Sequence, residues 1–144
     1  MAQSHNNTPI GTTLLFSRNS VALTDGQLVT VPASGGVAIP SQFTKSLILT
    51  IGLSDADKLA VGKTLQLSGF ISTDGGATFN FVNGFTWTSY GPNGLTVTDP
   101  DGTVHVNPDP RLFMPLNGQT GLRAQLTYLA NGLSNAAVTV FGVN

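Results

Sequence analysis

His105 is the residue of this chain best placed to move a proton, and Asp99 and Asp101 stand a few positions before it. A serine nucleophile would need such a base, held by a carboxylate and aimed at the hydroxyl. The chain has no G-x-S-x-G elbow to present that serine, and its other histidine, His5, lies in a polar N-terminal stretch. His105 therefore reads as a half-exposed strand residue. Cleavage of a glycosidic bond would need two carboxyl groups held a set distance apart. There is no Glu, so only Asp25, Asp55, Asp57, Asp74, Asp99, Asp101 and Asp109 could serve. All of them fall in turn-like segments, where an Asp side chain bonds nearby backbone. An enzyme is not expected.

Metal chemistry is equally thin. Asp55 with Asp57, or Asp99 with Asp101, would offer calcium hard oxygen ligands. Neither pair follows the ligand spacing of an EF-hand loop. One strand histidine cannot supply the imidazole cluster of a transition-metal site. The absence of Cys removes disulfides, thiolate zinc sites and a cysteine nucleophile. No cofactor or metal site is expected. Sugar binding would need exposed rings for the sugar C–H face. Trp87 and Tyr90 flank the end of an aromatic strand and would be the contacts. Alternation with Phe85 turns Trp87 toward the core, while Tyr90, beside Gly91-Pro92, is expected to be exposed.

These side chains must be carried by strands and turns. Charged residues make up only 9% of the 144-residue chain, so its polar surface must come from Thr, Ser, Asn and Gln. Those residues, with 17 Gly and 8 Pro, favour strands and turns over helices. The net charge of −1 leaves no electrostatic footprint for nucleic acid. A weakly charged surface also resists association poorly, which fits a protein that sits against other protein. Residues 1–11 have no apolar core of a signal peptide. No apolar run approaches the ~18 residues of a membrane helix. Met1 at the start leads us to expect synthesis and assembly in a cytoplasm.

Residues 1–11 are expected to form a flexible arm and residues 12–144 one domain. Strands are predicted over 12–17, on both sides of Asp25-Gly26 within 20–31, and over 45–53, 63–71, 80–87, 111–116, 121–129 and 136–143. A small hairpin is predicted over 95–106. Loops are predicted over 32–42 and 90–94, with one helical turn capped by Ser54. Leu47, Leu49, Ile51 and Leu53 share one face at period two. Ile48 and Thr50 fall on the other, so that strand is expected to be covered on both sides. Phe79, Phe81, Phe85 and Trp87 share a parity, interrupted by a bulge or bend at Asn83-Gly84. Eight to ten short strands between turns predict an all-β, single-domain jelly roll or related antiparallel β-sandwich. An immunoglobulin-like sandwich is the second choice.

Ser72, Asp74, Gly76, Thr78 and Phe79 follow the spacing S-x-D-x-G-x-T-[W/F]. This resembles the Asp-box, a hairpin motif of sialidases and other β-propellers that also occurs singly in unrelated β-folds. The resemblance implies that Asp74 accepts hydrogen bonds from turn N–H groups and that Gly76 takes a positive φ. It also implies that Thr78 bonds across the turn and that Phe79 sits in the core. A propeller would need several such motifs at regular spacing, and this chain carries one. The motif predicts geometry and no reaction.

A wider resemblance follows the order of elements. A mid-chain apolar strand leads into STDGGATF, then an aromatic strand ending FTW, a late LRAQLTYLANG pair and a terminal AAVTVFGV. This looks like small bacteriophage virion proteins of jelly-roll or sandwich type, which decorate or cement capsids or sit at tail surfaces. The resemblance implies a structural protein of the virion, often trimeric, that binds capsid subunits through loops and an extended terminus. The contact segments would be 1–11, 32–42 and 90–94. The alternative is a carbohydrate-binding module, free-standing or on a phage adsorption device, working through Trp87 and Tyr90.

Overall fold

The computed structural model describes residues 12–43 and 45–143, and the arm expected over 1–11 lies outside the described residues. Four main strands run out: β1 (Thr12–Ala22), β2 (Leu28–Val31), β4 (Ser46–Gly52) and β5 (Thr64–Ser72). Four run back: β6 (Asn80–Thr88), β9 (Arg111–Pro115), β10 (Arg123–Asn131) and β11 (Asn135–Val143). Each outgoing strand pairs antiparallel with its counterpart on the way back: β5 with β6, β4 with β9, β2 with β10 and β1 with β11. The chain is thus a double-stranded ribbon folded back at the turn after Ser72. Two further pairings, β4 with β11 and β5 with β10, roll the ribbon into two sheets.

The sheets have the orders β1-β11-β4-β9 and β2-β10-β5-β6. This is a jelly roll, two Greek keys wound into a double sheet. The immunoglobulin order is not present. The short β3 (Val37–Ala38) also pairs with β10, and β7 (Thr96–Thr98) with β8 (Val104–Val106) forms a separate hairpin. The count among described residues is eleven strands, against the eight to ten expected. The first strand is longer than predicted because register shifts after Leu14 and Arg18 break its period-two pattern.

The core lies between the inner faces. One sheet contributes Leu47, Leu49, Ile51, Leu112, Met114, Val138 and Val140, and the other Leu65, Leu67, Trp87, Ala124, Leu126 and Tyr128. Alternation along β4 is as expected, but its second side is not covered: Ile48 and Thr50 are half-exposed on the outer face. At Gly69 the sheets leave no room for a side chain: a Cβ there would collide with Met114 Sδ and stand 3.0 Å from Leu112 Cδ2. Nearby, Asn83 Nδ2 donates to the Phe113 carbonyl at 2.9 Å and ties edge strand β6 to edge strand β9.

The bulge on β6 lies one residue earlier than its sequence signal. Gly69 opposes Asn83 and Phe70 opposes Phe81, so Val82 is the extra residue. One added residue exchanges the faces of everything beyond it. Phe81 therefore leaves the parity of Trp87 and stands on the outer face, edge-on to Phe70 at 5.8 Å and 73°.

Gly69→Ala is expected to destabilise the domain by about 1–3 kcal/mol, the cost of overpacking a filled core. Urea denaturation measures it; an unchanged midpoint would contradict the close approach.

Candidate functional site

The mid-chain turn is built from its own side chains. Ser72 is fully buried at the end of β5. Its Oγ donates to Asp74 Oδ1 at 2.7 Å and accepts from the Gly76 N–H at 2.9 Å. Asp74 Oδ1 also accepts from the Thr78 N–H at 2.9 Å, and Oδ2 accepts from the Thr78 hydroxyl at 2.5 Å. Gly76 has φ +96°, and a Cβ there would meet the Gly35 carbonyl at 2.8 Å. Arg123 donates to the Gly35 and Gly36 carbonyls, fastening the neighbouring loop. The Thr78 hydroxyl and amide, with the Ser72 hydroxyl, hold the Asp74 carboxyl down to about 2.

Asp74, Gly76 and Thr78 take the parts the resemblance implies. Phe79 does not: it is half-buried rather than in the core. The turn reaches past the end of the sheets, so the ring packs on the loop, where a Cβ on Gly36 would meet Phe79 Cζ at 2.7 Å. With both carboxylate oxygens engaged inside the turn, Asp74 braces the hairpin.

The other aspartates also have structural partners. Asp57 is buried and accepts from the Ser134 N–H at 3.0 Å and hydroxyl at 3.1 Å. It stands in α1 (Asp55–Leu59), the expected helical turn, whose Asp57 N–H donates to Ser54 Oγ. Lys58 Nζ, also buried, donates to Asp109 Oδ1 at 3.0 Å and to the Asn107 carbonyl at 3.2 Å, with Asp55 at 3.7 Å. Asp109 Oδ1 also accepts from the Leu53 N–H, and Asp25 from the Gly132 N–H. Asp101 accepts from the Thr103 N–H inside the β7–β8 turn, which lowers its pKa. His105 Nε2 lies 2.7 Å from Asp99 Oδ2 on that exposed hairpin. Among the described residues no three His or Asp side chains converge as a metal site.

The aromatic pair expected to meet a sugar is committed elsewhere. Trp87 is a core residue, as its parity predicted. Tyr90 is half-buried, not an exposed platform. Its ring stands edge-on to Trp87 at 5.6 Å, and its hydroxyl donates to the Pro108 carbonyl at 2.6 Å. That partner is 18 residues away, so local sequence could not reveal it.

Sequence reasoning missed the outer face of the β1-β11-β4-β9 sheet. Leu14 opposes Phe141, Phe141 opposes Ile48, and Ile48 opposes Phe113. One apolar row crosses all four strands. Leu14 is 51% exposed and Phe113 55%. Thr12, Thr50 and Arg111 join Ile48 and Phe141 in lining a hollow beside the row. The signal was the second parity of β4 and β11, but the strand order that aligns these residues is not written in either segment.

No protein-family model and no curated protein matches the sequence.

The Asp74 pKa predicts a pH dependence with a definite sign. A folded value near 2, below the ordinary 3.8, favours the ionised carboxylate in the folded state. Its contribution is present above about pH 4 and is lost as pH falls toward 2. Asp74→Asn is expected to be less stable than the parent at neutral pH and to lose less stability between about pH 4 and 2. Thermal melts across that range check it; parallel curves would contradict the bracing role.

Proposed function

We propose that this chain is a non-enzymatic structural protein of a bacteriophage particle, a capsid-decoration or cement module that lays one sheet face on a protein lattice. The observation that carries this reading is the row Leu14–Phe141–Ile48–Phe113, in register across four strands, with Leu14 and Phe113 exposed at its ends and Phe141 and Ile48 half-exposed between them. An apolar centre with a polar rim is the usual anatomy of an interface. Here the rim is neutral, from Thr12, Ser46, Thr50 and Thr139, with Arg111 as its charge.

Low charge supports the same reading, because little desolvation of ions opposes burial. A standard interface buries roughly 800 Å² per partner, and the segments 1–11, 32–42 and 90–94 would extend the contact beyond the sheet. The similarity to small virion proteins adds a homotrimer, placed on the virion after assembly in a host cytoplasm.

Particles banded in a density gradient from the producing cells are expected to carry the chain in fixed proportion to the shell protein. The double variant Leu14→Ser, Phe113→Ser should fold, because both side chains are exposed, and should fall off the particle band. A chain missing from the band, or a double variant bound like the parent, would overturn the reading.

A further inference from the structure

The second sheet carries a different surface. On its outer face Gly84 opposes Ser68, Ser68 opposes Thr127, and Thr127 opposes Thr30. This row of small residues crosses all four strands. Larger rows flank it. Phe81, Phe70 and Gln125 stand in register on one side, and Thr86, Gln66 and Leu129 on the other. Low floor and raised walls make a trough across the strands. Its length is roughly 14 Å, three inter-strand spacings. Its β5–β6 end is a hollow of about 260 Å³ lined by Gln66, Ser68, Phe81, Gly84 and Thr86. Gly84 keeps it open: a Cβ there would meet the Leu67 carbonyl at 2.7 Å, the Phe81 ring at 3.2 Å and Ser68 Oγ at 3.3 Å.

The geometry points to this trough as a binding site for a neutral, linear oligosaccharide. Three observations select that ligand. First, the four strands contain one charged residue, Arg123, and it is tied to the Gly35 and Gly36 carbonyls. An ionic ligand would find no counter-charge on these strands. Second, the side chains of Gln66, Ser68, Gln125 and Thr127 make no hydrogen bond to any described residue, so their donors and acceptors are open to ligand hydroxyls. Third, Phe81 is 62% exposed and steadied by the edge-on Phe70, which offers an apolar ring at one wall for a sugar C–H face. An extended peptide fits less well. The trough runs across the face of the sheet, whereas the backbone groups a peptide strand would pair with lie in the sheet plane, along the outer edges of β2 and β6. This site is on the opposite sheet from the lattice face and does not depend on that role.

The test is an array of cellotetraose, maltotetraose, mannotetraose and chitotetraose, followed by calorimetric titration of whichever binds. One of these should bind with millimolar or tighter affinity. Phe81→Ala should weaken it by about tenfold or more, and Thr127→Gln, which fills the floor, should abolish it. Leu14→Ser should bind as the parent does. Unfolding midpoints equal to the parent's separate lost binding from lost fold, and Phe81→Ala decides the matter alone if Thr127→Gln does not fold. No saturation by any of these sugars at about 10 mM, or undiminished binding by Phe81→Ala, would overturn the assignment. So would capture of an extended Thr/Asn-rich peptide in place of every sugar.

Discussion

The fold depends on the reversal after Ser72. There the ribbon turns back on itself and sets the pairing of β5 with the start of β6, which the bulge at Val82 then shifts by one residue. β5 also pairs with β10 on its other side, and β10 with β2. A slip of one residue in the pairing of β6 with β5 would send Trp87, which stands opposite Leu65, to the solvent side and leave its place in the core unfilled. The hydrogen bonds among Ser72, Asp74, Gly76 and Thr78 oppose that slip because they fix the length of the turn. Asp74 is kept ionised by the same hydroxyl and amide donors, so the charge that orders the turn is the one the turn stabilises.

Much of this architecture could be read from the chain. The alternation of Leu47, Leu49 and Ile51 marked an inner face, the motif at 72–79 marked the reversal, and Ser54 marked a helix cap. Each signal is local, because each depends on neighbours within a few residues. What could not be read depends on partners distant in sequence. The sequence next to Gly91-Pro92 points to an exposed Tyr90, but a carbonyl from the far side of the β7–β8 hairpin holds it half-buried. Phe81 was placed with Trp87, and a single bulge residue, Val82, sends it outward. Phe79 follows its motif in spacing and not in burial, because its ring lies against the loop at Gly36, a partner far off in sequence. The apolar row needs four strands in their folded order before it exists at all.

The chain uses its scarce charges inside itself. Lys58 is buried among Asp55, Asp109 and the Asn107 carbonyl, Asp57 holds Ser134, and Arg123 holds two loop carbonyls. Apart from Arg111, and from Arg123 with its carbonyl partners, the outer faces are left to neutral and apolar side chains. A surface of that kind recognises by shape, by apolar contact and by neutral hydrogen bonds, with little electrostatic steering. The two sheets divide those means: one shows an apolar row, the other a trough of hydroxyls and amides beside a phenyl ring. A bulge and a glycine on β6 are enough to make the difference, since Val82 turns Phe81 outward and Gly84 leaves the floor low.

Amide hydrogen exchange on the chain, free and bound to particles, tests most directly whether a sheet face is its working surface. If the outer face of the β1-β11-β4-β9 sheet docks on the particle, added protection is expected on its edge strands β1 and β9, with the 73–79 turn unchanged. Protection confined to the loops 32–42 and 90–94, with β1 and β9 exchanging as in the free chain, would contradict it.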